Sequence, residues 1–355
     1  MVISNAGQEL KKMQNEAVCF QMEVIGNKPG DNPVDKEKIR QWMESMQWFQ
    51  PEKVFAAYDN KYHDMIYSEK KFEDLLHRSS DSDSFIIGFE GNCMDNRFGI
   101  LSVQHNTART LFYMRIDMKM FNQKRYEILE TFERLFFDFH GAVGYLENNF
   151  DAWARSCLNS KFDLESYGFS TIGVEYSSRK SFSNGNQAIN PHCLPWHVDG
   201  WNGITFRASY GMWFGPDYFR VFSEEKVASF TNCAENIDLG KGCRRIFLYD
   251  NIVDCNTLES RERQWAFRQH LDMCETIRKL NKGPIPSIDP AIIGKDPISD
   301  SFTEGAPFPQ GGDRYTKVYI DANGKTCPRS LATGYMYVEY LNSRIIYKEK
   351  IELEK

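Results

Sequence analysis

No two cysteines in this chain are spaced as C-x-x-C. The nine stand at 19, 93, 157, 193, 233, 243, 255, 274 and 327, which leaves zinc knuckles and thioredoxin-type redox pairs unsupported and predicts reduced, mostly buried thiols. No apolar run approaches membrane-spanning length, and the first seven residues carry no charged segment leading into an apolar one. A cytosolic location away from any membrane is expected. Positive charge is also short: 43 Lys and Arg stand against 49 Asp and Glu, a net charge of -6. That balance argues against a surface that tracks nucleic-acid phosphates and favours a basic protein partner. H-E-x-x-H and G-x-S-x-G are missing, as is G-x-G-x-x-G after a strand. Gly324-Lys325-Thr326 resembles the end of a phosphate loop, but Tyr319 stands where its first glycine belongs. No catalytic residue and no cofactor is therefore expected.

What the chain does have is length and rings. Its 355 residues can bury a full core, and aromatics make up 14%, with 26 Phe and 17 Tyr. The run Ile204 to Phe214 alternates Ile204, Phe206, Ala208, Tyr210, Met212 and Phe214 with Thr205, Arg207, Ser209, Gly211 and Trp213, and so reads as one long half-buried strand. Gly215-Pro216-Asp217 ends it and opens a short helix through Phe222.

Upstream, Asp35 can cap a helix carrying Ile39, Trp42, Met43 and Met46, with Pro51 as its stop. Strands are expected at Val18 to Ile25, Lys53 to Tyr58, Phe85 to Phe89, Phe98 to Val103 and Phe112 to Met120. A helix is expected over Glu69 to His77. Another opens at Asn122, with a stripe of Ile128, Leu129, Phe132, Leu135, Phe136 and Phe139, and closes at His140-Gly141. Phe150 to Leu158 reads as a helix and Ser170 to Tyr176 as a strand. Downstream, Ser223 caps a turn, Val227 to Phe230 reads as extended, and Gly240-Lys241-Gly242 joins a hairpin. Leu258 to Leu280 is the longest predicted helix, with Phe267, Leu271, Cys274 and Ile277 on one side. Arg314 to Ile320 and Gly334 to Ile351 return to strand-like alternation.

These elements spell an α+β fold, largely antiparallel sheet covered by amphipathic helices. The same succession of strands and then a stripe helix in both halves hints at duplication. The organisation expected is an N-terminal half over 1–176, a linker or exposed loop over 177–190, and a C-terminal half over 191–355 with a Pro/Gly-rich loop at 283–312.

Three groups invite a functional reading. His197, Asp199 and His270, with Arg278 downstream, have the residue types and order of a two-histidine, one-carboxylate iron site. An iron oxygenase is the alternative function on that ground, although His270 falls on a helix where such a site needs a strand. His192-Cys193 suggests an activated thiol, but neighbours on a strand face opposite ways. Trp196, Trp201 and Trp213 are candidate anchors for a protein partner, or else core.

The succession Gly211-Met212-Trp213-Phe214-Gly215-Pro216-Asp217-Tyr218-Phe219, then Val227 to Phe230, Arg245 to Tyr249 and Arg261 to Arg268, resembles bacterial immunity proteins of polymorphic toxin systems over residues 195 to 280. The resemblance implies a largely α+β, non-enzymatic, cytosolic protein that binds and blocks a cognate toxin. It carries no catalytic residue to transfer.

Overall fold

The computed structural model describes residues 12–26, 35–47, 49–59, 61–82, 84–93, 97–106, 108–157, 176–180, 187–189, 195–282, 299–302, 310, 314–325, 327, 332–341 and 344–353. The expected strand at Ser170 to Tyr176 lies outside these residues except for Tyr176. Most of the 283–312 loop and the pair His192-Cys193 lie outside them too.

The chain divides into two compact units, 1–179 with 186–283, and 180–185 with 284–355. The first unit holds a ten-stranded sheet in the order β13-β14-β12-β7-β1-β6-β5-β4-β2-β3. Its strands are β1 (Ala17–Ile25), β2 (Gln50–Tyr58), β3 (Lys61–Ile66), β4 (Phe85–Cys93), β5 (Arg97–His105), β6 (Arg109–Asp117), β7 (Val143–Asn148), β12 (Gly211–Phe214), β13 (Glu235–Gly240) and β14 (Cys243–Phe247). Every pairing is antiparallel. The second unit is a four-stranded antiparallel sheet of β15 (Ser299–Phe302), β16 (Arg314–Ile320), β17 (Gly334–Leu341) and β18 (Arg344–Glu352). Two small pairs complete the strands: β8 (Tyr176–Lys180) with β9 (Gln187–Ile189), and β10 (Asp199–Trp201) with β11 (Ile204–Phe206). The fold is α+β, as the patterning predicts. The divide at 177–190 is not where the units part, because β12, β14 and β13 from beyond it extend the sheet that β1 to β7 begin. Strands on both sides of that divide therefore share one sheet, while β15 to β18 form another.

One face of that sheet is conventional core. Phe20 and Met22 of β1, Met114 and Phe112 of β6, Leu101 and Val103 of β5, and Phe89 and Ile87 of β4 stand opposite one another along the ladders and are all buried. The helices α1 (Lys36–Glu44), α2 (Glu69–Ser79) and α3 (Met118–Asp138) pack on this face. Asp35 accepts the Lys38 N–H at 3.1 Å and so starts α1, which buries Ile39, Trp42 and Met43. That helix ends at Glu44, and Pro51 lies in β2, beside an irregularity in its pairing with β4, where a missing donor is tolerated. α3 starts four residues before Asn122. Asp117 ends β6 and caps the helix by accepting from Lys119 N and Met120 N, and the early start is absorbed by a kink at Lys124. Its end is as predicted, with His140 in the left-handed region and Gly141 N donating to Phe136 O at 2.8 Å.

Three other expectations are corrected. The run from Ile204 to Phe214 is two strands, because 207–210 leaves the ladder; Phe206 to Tyr210 are all buried, so the alternation does not mark an open face. Val227 to Phe230 is not extended: α5 (Glu224–Ala228) forms behind the Ser223 cap. The long helix breaks at Asp272, whose φ of 52° ends α6 (Leu258–Leu271) before α7 (Met273–Lys282) begins. Strands β3 and β7 were not foreseen. β7 is buried at all six positions, so it shows no alternation to detect.

Gly215 closes β12 against the loop before β7. Its N–H donates to Ala142 O at 2.9 Å, and a Cβ placed there meets Gly141 O at 2.0 Å, with backbone on both sides of the contact. Gly215→Ala is expected to lower stability by roughly 1–3 kcal/mol through overpacking, measured as the shift in urea unfolding midpoint.

Candidate functional site

The second face of the sheet divides into two regions. Over β7 and β1 it carries charge. Glu147 of β7 is fully buried and takes both terminal nitrogens of Arg155, from α4 (Asn149–Cys157), at 2.6 Å each. Arg207 reaches the same carboxylate at 3.6 Å, donates to Gln21 at 2.6 Å and to Ser209 at 3.2 Å, and stacks on Tyr145 with its guanidinium carbon 4.1 Å from the ring centre. Glu23 accepts from Arg109 at 2.6 Å and from the Thr205 backbone and hydroxyl at 2.7 Å each. Asp151 of α4 meets Arg261 of α6 at 2.7 Å. Each buried carboxylate is thus met by an arginine or a donor from another segment, and the segment 204–210 is bound down in the process. Burial acts against the charge on Glu147, but Arg155 and Arg207 outweigh it and hold its pKa below the ordinary carboxylate value. The arrangement is suited to holding segments together rather than to moving protons.

The iron reading meets the same chemistry. Asp199 gives one oxygen to Arg268 at 2.8 Å, and the other lies 3.3 Å from His197 Nε2. Burial works against the Asp199 charge, while His197 and Arg268 outweigh that and lower its pKa. Arg268, itself buried, also donates to the His197 carbonyl at 2.7 Å and contacts the Cys274 sulfur at 2.9 Å. His270 turns the other way: its Nε2 lies 2.7 Å from Lys226 O and 3.1 Å from Ser229 Oγ, both on or beside α5. So His197 and Asp199 come together and His270 does not join them. Arg268 and His270 are two residues apart on α6, about 200° round the helix, so the face that meets Asp199 carries the arginine and the histidine leaves on the other side. The Arg278 side chain lies outside the described part. Among the described residues, no group of three His, Cys, Asp or Glu is placed to hold a metal ion.

The tryptophans are mostly core. Trp213 is fully buried under α3, 4.8 Å from the Phe132 ring and 6.4 Å from Phe20, and donates its indole N–H to Glu133 at 3.0 Å. It faces a helix layer, so it is not a surface anchor. Trp196 is buried beneath Arg261, whose guanidinium carbon stands 4.7 Å from its ring, and is no anchor either. Trp201 on β10 is half-buried against the core.

Beyond β5 the second face opens. The register places Ile86 of β4, Phe55 and Ala57 of β2, and Tyr62, Asp64 and Ile66 of β3 on it. Tyr62 is 65% exposed, Ile66 76% and Ile86 37%. Phe55 lies against Gly88, where a Cβ would meet its ring at 2.5 Å, and stacks on Tyr62 with ring centres 6.5 Å apart. Charge rings the patch: Lys53 lies 3.5 Å from Asp64 and 3.9 Å from Glu90, and Glu52 accepts from Asn92. Two carboxylates therefore share the Lys53 ammonium, and a third, of Glu52, is held by an amide. The sequence holds a signal for this site that patterning missed: Asp59-Asn60 between two short runs is hairpin chemistry, and Tyr62, Asp64 and Ile66 share one period-two face.

No family model matches the chain, and no curated protein matches it. Among solved structures it is similar to the Pseudomonas aeruginosa T6SS protein PA0821, at 10% sequence identity and a TM-score of 0.38, with 72% of this chain and 73% of that chain covered. At this level of likeness nothing about activity or partner carries over.

Replacing Glu147 by Gln leaves Arg155 and Arg207 without their counter-charge, and the expected loss is about 3–5 kcal/mol by urea unfolding. Glu259→Gln, in the exposed pair with Arg263 at 2.6 Å, is expected to change stability by less than about 1 kcal/mol. Because the folded state lowers the Glu147 pKa, its contribution is complete above the unfolded carboxylate value of about 4.3 and is lost as pH falls through the folded one. The unfolding midpoint of the parent chain should fall over that acid range more steeply than that of Glu147→Gln.

Proposed function

We propose that this chain is a non-enzymatic binding protein of bacterial competition, an immunity protein that recognises and blocks a cognate toxin in the cytoplasm. The observation that carries this reading is the open part of the sheet's second face, where Phe55, Tyr62, Ile66 and Ile86 form an apolar and aromatic surface edged by Glu52, Asp64 and Glu90. Aromatic residues that a fold leaves exposed beside charge are the composition of a protein-binding hot spot. The resemblance of residues 195 to 280 to immunity proteins supports the same reading. So does the overall charge of -6, which draws in a basic partner. No helix among the described residues is long and apolar enough to cross a membrane.

The test is co-expression with the protein encoded by the adjacent gene, followed by co-purification and titration calorimetry. A stable complex is expected, and the double variant Tyr62→Glu, Ile66→Glu should weaken it at least about tenfold while its thermal midpoint stays close to the parent's. Failure to bind any neighbour-encoded protein, or undiminished affinity of the double variant, overturns the assignment.

A further inference from the structure

β3 is the last strand of the ten-stranded sheet, with β2 on its inner side. The direction of its backbone groups follows from one hydrogen bond. Tyr67 N donates to Glu52 O at 2.8 Å, so the odd-numbered backbone groups from 61 to 67 face β2. The amides and carbonyls of Tyr62, Asp64 and Ile66 therefore face outward from the sheet edge. The same three side chains lie on the open face, with Tyr62 and Ile66 among the most exposed large apolar groups and Asp64 midway between them. A strand added at this edge would form main-chain bonds at Tyr62, Asp64 and the Ile66 amide, would take the Ile66 carbonyl from the Lys71 ammonium that donates to it at 3.0 Å, and would lay alternate side chains against the residues the fold leaves uncovered.

Charge selects the occupant. A second copy pairing antiparallel about Asp64 would match Tyr62 with Ile66, but it would set Asp64 against its own counterpart, and like charges directly opposite are destabilising. Glu90 and Glu52 add to the negative charge here, which is offset in part by the ammonium of Lys53, 3.5 Å from Asp64 and 3.9 Å from Glu90, and by that of Lys71, on the Ile66 carbonyl. Building on the toxin-binding reading above, we infer that the partner docks by adding an antiparallel strand to β3, with a Lys or Arg opposite Asp64 and an apolar residue two positions to either side, opposite Tyr62 and Ile66.

The probe is a pair of blocked peptides, Leu-Thr-Arg-Thr-Leu and Leu-Thr-Asp-Thr-Leu, titrated into the full ¹⁵N-labelled chain without any toxin. The Arg peptide is expected to shift the amides of Tyr62, Asp64 and Ile66, with half-saturation at least about threefold lower than the Asp peptide. Asp64→Lys should reverse the preference, and Asp64→Asn, the milder change, should abolish it. Equal response to both peptides, no shift at these amides, or an unaltered preference in both variants overturns the strand-addition model. So does a concentration-dependent dimer in sedimentation that is lost in Tyr62→Lys, which would assign the edge to a second copy. Because no toxin is present, these failures leave the immunity reading standing, and failure of toxin capture with a positive peptide result refutes that reading alone.

Discussion

A fully buried glutamate in the middle of a sheet constrains everything around it. Glu147 sits on β7 between β1 and β12, where an unpaired carboxylate would be untenable, and the chain answers with Arg155 from the next helix and Arg207 from sixty residues downstream. Arg207 must then lie flat on Tyr145, and residues 207–210 cannot remain in a ladder. The interruption of the central strand, the seating of β10 and β11, and the anchoring of α6 through Arg261 and Arg268 share one logic. Arginines from the later part of the chain are drawn onto acids in or beside the sheet.

This arrangement also explains why the two regions of the second face differ. Over β7 and β1 the acids recruit a covering layer, and the aromatic residues there are sealed inside. Over β4, β2 and β3 there is no such charge pull, and the face stays open with its rings and aliphatic side chains in solvent. Tyr62 and Ile66, exposed on a regular strand, therefore leave an apolar patch beside charge in contact with water.

Local chemistry made much of the fold legible. Asp35 and Ser223 cap helices as their side chains require, the Gly240-Lys241-Gly242 turn takes positive φ at all three residues, and the Ile128 to Phe136 stripe packs on the sheet. What escaped was decided at long range. β7 reads as nothing in particular because both its faces are buried, and the helix from Leu258 breaks at Asp272 in a setting where Arg268 contacts Asp199, His197 and Cys274. The histidine and aspartate that suggested iron were half legible: His197 and Asp199 are neighbours, and only the partner of the pair, an arginine, was misjudged. The open patch is less legible because tryptophans, the strongest anchor signal in the sequence, are just as valuable as filling, and Trp196 and Trp213 fill the core here.

The insertion of β12 beside β7 has a consequence for how the molecule comes into being. Leu146 and Gly211 are ladder partners, so the outer edge of β7 has nowhere to pair until residues up to Phe214 have left the ribosome, and the outer edge of β12 then waits for β14, up to Phe247. During synthesis the nascent chain would hold a half-finished sheet with an apolar rim, its Glu147 met by Arg155 but not yet by Arg207. Such a species is a natural client for chaperones, and the arrival of 204–214 both closes the β7 edge and brings Arg207 onto the carboxylate.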